Sequence, residues 1–155
     1  MVNSRTRPCS SRGVRKFVVS VRFAFHANHS QSHELRLLAR LYSAREVSPR
    51  QVRLPTHDDG KDRYPVPEYY FHQNNIQPYV HDCNVIVTEG SRHHRFRVFF
   101  KCHPRLAVNL AMPVDAPGSI PFRGDILVMR RAEHGRNVVN MRPGDARIAD
   151  MLVPR

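Results

Sequence analysis

From Phe17 to Phe25 apolar side chains occupy every second position (Phe17, Val19, Val21, Phe23, Phe25), with Ser20 and Arg22 between them. A period of two in β-branched and aromatic residues predicts a half-buried strand. The period then changes. Leu35, Leu38, Leu41 and Tyr42 recur at helical spacing behind Ser30 and Ser32, both suited to N-capping, which predicts a helix over about 31–45. Arg36, Arg40 and Arg45 fall off that stripe and give the helix a basic outer face, and Pro49 ends it.

Breakers dominate 46–79: Pro55, Pro65, Pro67 and Pro78, the His57-Asp58-Asp59-Gly60 turn, and Asn74-Asn75. They predict a long Pro-rich loop at about 46–79, a length that compact domains keep for functional or mobile segments. Tyr64, Tyr69, Tyr70, Phe71 and Tyr79 either fasten that loop to the core or line a surface groove.

The second half alternates again. Val80–Thr88 and Arg95–Cys102 predict a hairpin closed by 89–94, with Val87 opposite Val98, Val85 opposite Phe100 and Cys83 opposite Cys102. Leu106, Val108 and Leu110 predict a short further strand. Residues 125–130 are apolar on both faces (Ile126 and Val128; Leu127 and Met129), as in a central strand. His134-Gly135 turns the chain, Asn137–Met141 returns, and Asp145 caps a short terminal helix carrying Ala146, Ile148, Ala149 and Leu152. The expected fold is α+β: a largely antiparallel sheet of two hairpins plus the N-terminal strand, packed by one amphipathic helix, with a short C-terminal helix. A disordered basic arm over 1–15 precedes a single domain over 16–155.

Charge alters this picture. Of 25 basic side chains 22 are arginine, and the net charge is +12 over 155 residues. Residues 1–53 carry +9, 54–79 carry −2, and 80–155 carry +5. A lopsided cationic surface attracts polyanions, and arginine adds forked contacts to phosphate or carboxylate. The first acid is Glu34, so the arginine- and serine-rich start also has the composition of an organellar transit peptide. Arg22 interrupts the only apolar stretch there, against a secretion signal. Three cysteines make no secreted disulfide framework, which favours an intracellular protein with a mitochondrial destination open. No run of about 18 apolar residues exists to span a membrane.

The candidate chemistry is binding. Arg5, Arg7, Arg12 and Arg15 on the arm, with Arg36, Arg40 and Arg45 on the helix, form an expected grip on a phosphate backbone, RNA or DNA, or on an acidic protein. Arg95-Phe96-Arg97-Val98-Phe99-Phe100 interleaves charge and rings as strands of RNA-recognition modules do, yet that motif's glycines and its βαββαβ order are absent. The alternative is a protein-interaction domain using the tyrosines of 64–79, with arginine serving only solubility. His81, Cys83 and Cys102 share a face in the expected register, but zinc needs a fourth ligand, so free thiols are expected and no metal or cofactor is assigned. No G-x-S-x-G, phosphate-binding or dinucleotide-binding glycine motif occurs, and no catalytic residue is assigned. Arg123-Gly124-Asp125 and Arg142-Pro143-Gly144-Asp145 look like two boxes of signal peptidases, but Asn137 stands where that family's lysine would fall.

The tail does carry a resemblance. Phe122-Arg123-Gly124-Asp125-Ile126-Leu127-Val128-Met129-Arg130, then Val139-Asn140-Met141-Arg142 and Ala149-Asp150, resembles the closing segment of small uncharacterised fungal proteins. The resemblance implies a hairpin-plus-tail domain and no particular chemistry.

Overall fold

The structure, a computed structural model, describes residues 35–58, 63–71, 80–101, 103–112, 120–134 and 137–152. The basic arm and the predicted Phe17 strand lie outside them. The described residues form an α+β fold dominated by an antiparallel sheet: β1 (Leu35–Tyr42), β2 (Arg50–Asp58), β3 (Arg63–Pro65), β4 (His81–Glu89), β5 (Arg92–Phe100), β6 (Ile126–Arg131) and β7 (Val138–Val139). Two short helices, α1 (Glu68–Phe71) and α2 (Pro143–Asp150), complete it. Strand order is β3-β2-β1-β6-β5-β4, with β7 pairing to β6.

The helix expected over 31–45 is a strand where it is described. Leu37, Ala39 and Leu41 alternate onto one face of β1, while Leu38 and Tyr42 occupy the other. Both faces are covered, so apolar residues sit in both alternating sets and mimic helical spacing. A strand buried on two sides defeats a periodicity argument for this reason.

The expected loop over 46–79 carries β2, β3 and α1 instead. Pro55 survives inside β2 because it faces Arg36, whose backbone points away from β2. Leu38 establishes that direction: its N–H donates to Asn140 Oδ1 at 2.9 Å and its carbonyl accepts from Met141 at 3.4 Å. The proline's missing N–H therefore removes no rung to β1.

The β4–β5 hairpin exists, but its turn is tighter than expected. Gly90 and Ser91 alone join the strands, Gly90 at φ 59° and Ser91 at negative φ, the sign pattern of a type II′ turn. Cys83 consequently lies opposite Val98 and Val85 opposite Phe96, four residues from the expected register. An even shift preserves facing, so the side chains assigned to one side still share it. Cys102 lies outside the described residues. The strand expected at Leu106–Leu110 reduces to a single bridge, Val108 to Arg123.

Strand β6 is central, as its two apolar faces predict; Ile126, Leu127, Val128 and Met129 are all buried. One face packs Leu37, Leu41, Leu54, Phe99 and Leu127 beneath Phe71 of α1. The other packs Tyr42, Phe96 and Val128 beneath Ile148 and Ala149 of α2. The terminal helix exists but begins earlier than expected: Pro143 opens its first turn, Arg142 is the N-cap, and Asp145, inside that turn rather than at the cap, accepts the Arg142 N–H at 2.7 Å. Strands β1 and β6 pair only through Arg40–Tyr42, then diverge, and β7 with Asn140 fills the gap between them.

Candidate functional site

Where β1 ends, the chain turns on itself: Glu46 N–H donates to the Ser43 carbonyl and Arg45 N–H to Ser43 Oγ, both at 3.2 Å. Ala44 N–H donates to Asp125 Oδ1 at 2.6 Å, tying this turn to the start of β6. Across from it stand α1 and the 103–112 segment. Between them opens a cleft of about 640 Å³, its rim formed by Arg45, Arg50, Tyr69, Tyr70, Arg105 and Asp125.

Each wall is held by a buried polar contact. Asn109, almost fully buried, donates through Nδ2 to the carbonyls of Tyr42 (2.9 Å) and Gly124 (2.7 Å), while its Oδ1 accepts from Ala111 at 3.0 Å. Gly124 sits at φ 86°, and a Cβ there would lie 2.8 Å from Leu106 Cδ1. Only glycine fits that conformation and that approach. Lys101, 4% exposed, donates Nζ to the Phe71 carbonyl at 2.8 Å and so anchors the end of α1. Burial lowers its pKa, against a smaller opposing pull from Glu68.

The electrostatics of the cleft are uneven. Arg50 pairs with Glu46 at 3.0 Å, and the Asp125 carboxylate is engaged by Ala44. The guanidinium groups of Arg45 and Arg105 meet no acid among the described residues. Tyr69, 46% exposed, packs edge-on against Tyr70 with centroids 5.2 Å apart, and Arg36 lies 5.8 Å from its ring centre. The Tyr70 hydroxyl donates to the Arg53 carbonyl at 3.1 Å. Burial, then neighbouring Tyr69, raises the Tyr70 pKa, while Arg50 and Arg36 oppose them.

The arginines named from sequence do not share one helical face, since that helix is β1. Arg5, Arg7, Arg12 and Arg15 lie outside the described residues. Arg36 stacks on Tyr69, Arg45 lines the cleft, and Arg40 is engaged elsewhere. Its Nε and Nη2 reach both oxygens of Asp150 at 3.1 and 2.9 Å, while the Tyr42 hydroxyl donates to Oδ1 at 2.7 Å. Arg97–Asp82, Arg130–Asp145 and Arg147–Glu89 are likewise matched ion pairs. Arg92 and Arg95 meet no acid among the described residues, but they lie at the opposite end of the sheet from the cleft. Sequence reasoning missed Arg50 and Arg105. Arg105 stands alone in its segment, and only its place in a cleft shared with residues some 60 positions earlier marks it.

Among the described residues no three His, Cys, Asp or Glu side chains gather to hold a metal. His81 stacks on Phe100 at 5.7 Å. Burial, then neighbouring Asp82, pushes the Cys83 thiol up, so it stays protonated at neutral pH. Among the described residues no helix is long and apolar enough to cross a membrane. Compared with protein-family models, curated proteins and solved structures, the chain matches none.

Proposed function

We propose that this chain is a non-enzymatic binding module for an acidic partner, RNA or DNA first, and that the cleft is where it binds. The observation that carries this reading is the convergence of Arg45 and Arg105, which meet no acid among the described residues, on a concavity edged by Tyr69 and Tyr70. Exposed guanidinium groups beside aromatic rings suit phosphates and bases together. Arg5, Arg7, Arg12 and Arg15 add long-range attraction from the N-terminal stretch, and Arg36 serves by bracing Tyr69. Arg40 takes a structural part instead, because Asp150 neutralises it.

Fluorescence anisotropy with labelled RNA and DNA across a salt series tests the proposal. Affinity should fall steeply as salt rises, and the R45E/R105E double variant should lose most low-salt binding. Absence of binding at low salt, or a double variant that binds as tightly as wild type, overturns it. A protein partner held by the tyrosines would respond little to salt.

A further inference from the structure

We infer that the cleft takes a single strand of nucleic acid, with one unstacked base against Tyr69 and its flanking phosphates on Arg45 and Arg105, and that it does not take a duplex. The inference rests on the nucleic-acid reading and goes further by fixing the form of the ligand.

The shape argues first. Duplexes are read by an element that enters a groove. Here the basic residues line a recess whose walls come from the 43–50 turn, α1 and the 103–107 segment. Its volume, about 640 Å³, falls within the range of pockets that enclose a small molecule. It can accept a base and its sugar, but not the width of two strands.

The ring argues second. A base in a duplex offers no face to a side chain, whereas an unpaired base stacks on aromatic rings and arginine planes. Tyr69 is prepared for that contact. Tyr70 buttresses its edge, Arg36 lies over it, and α1 beneath is anchored by Phe71 in the core and by Lys101 at its end. A ring held in place before binding loses little freedom on binding, which raises affinity without added contacts.

The charges argue third. Arg45 and Arg105 come from separate segments and, among the described residues, are the cleft arginines that meet no acid, so each can receive a phosphate with no described ion pair to break. Arg50 is already half-satisfied by Glu46 and is assigned no phosphate.

The test uses the full chain with a labelled single-stranded RNA of about a dozen nucleotides, the DNA of the same sequence, and the matching duplexes. Single strands should bind at least about tenfold tighter than duplexes. Tyr69→Ala should weaken single-strand binding about tenfold while leaving the salt slope unchanged, and Tyr69→Phe should retain affinity. Arg45→Gln and Arg105→Gln should each reduce the log–log salt slope by about 0.7, the increment for one phosphate on a single strand. Circular dichroism of each variant confirms the native fold. Equal binding of duplex and single strand, or an unchanged affinity in Tyr69→Ala, overturns the inference while leaving nucleic-acid binding intact. If neither form binds at low salt, the broader reading falls with it.

Discussion

Lys101 and Phe71, thirty positions apart, are joined by a 2.8 Å hydrogen bond from a buried ammonium group to the last residue of a one-turn helix. A four-residue helix cannot hold itself in water, so its position is set by packing and by this bond. Lys101→Met should leave the Phe71 carbonyl unpaired and destabilise the fold by about 1–3 kcal/mol in denaturant titrations.

That amine also fixes a sign. Its folded pKa lies below the ordinary 10.5 because burial penalises the charged form. On the alkaline side, between the folded and unfolded values, the unfolded chain binds more protons, so stability rises with pH there. The unfolding free energy of wild type minus that of Lys101→Met should therefore increase as pH approaches 10.5. A flat difference would contradict the assignment.

The Tyr42 hydroxyl behaves in the opposite sense. Burial, then the adjacent Asp150 carboxylate, raises its pKa far above 10.0. The native state retains that proton, so this contribution is fully present below pH 10 and lost as pH climbs beyond it. Tyr42→Phe should abolish that portion of the alkaline loss, measured as the pH dependence of the thermal midpoint relative to wild type.

Asp150 latches α2 to β1 through both Arg40 and Tyr42. Each charged partner is about a fifth to a quarter exposed, so solvent weakens the pair below a fully buried one. Asp150→Ala should cost about 1–3 kcal/mol, and a double-mutant cycle with Arg40→Ala should show coupling well above 0.5 kcal/mol.

Two glycines should respond in opposite directions to alanine. Gly124→Ala meets Leu106 at 2.8 Å in a left-handed conformation and should cost at least about 1–3 kcal/mol. Gly144, in the first turn of α2 with nothing within 4 Å of an added Cβ, should gain about 0.5 kcal/mol. Equilibrium denaturation of the two variants reads both signs.

These features differ in how far local sequence reveals them. The strand at Ile126, the existence of the terminal helix through Ile148 and Ala149, and the facing of Val85 with Val98 are legible because burial writes itself into neighbouring residues. The start of that helix at Pro143 is not legible, because a Pro-Gly pair reads locally as a break. The β4–β5 register is not, since the Gly90-Ser91 turn competes with the six-residue alternative of 89–94. The identity of β1 is hidden because two covered faces erase alternation. Within β2, proline tolerance depends on which way the partner's backbone points, a fact held in Leu38 and Asn140 rather than in Pro55. Tyr69 and Arg45 are visible as candidates, but their meeting with Arg105 is a tertiary event with no local signature.

Strand β6 is the only described bridge between the β1–β2 pair and the β4–β5 pair, and it starts at residue 126. During synthesis the two earlier hairpins therefore emerge with unsatisfied inner edges and wait for a late strand to slot between them. Such long-range closure slows folding and exposes strand edges to neighbouring chains. A ribosome-bound chain stopped before Ile126 would present two separate ribbons, and adding the final thirty residues would turn them into one sheet.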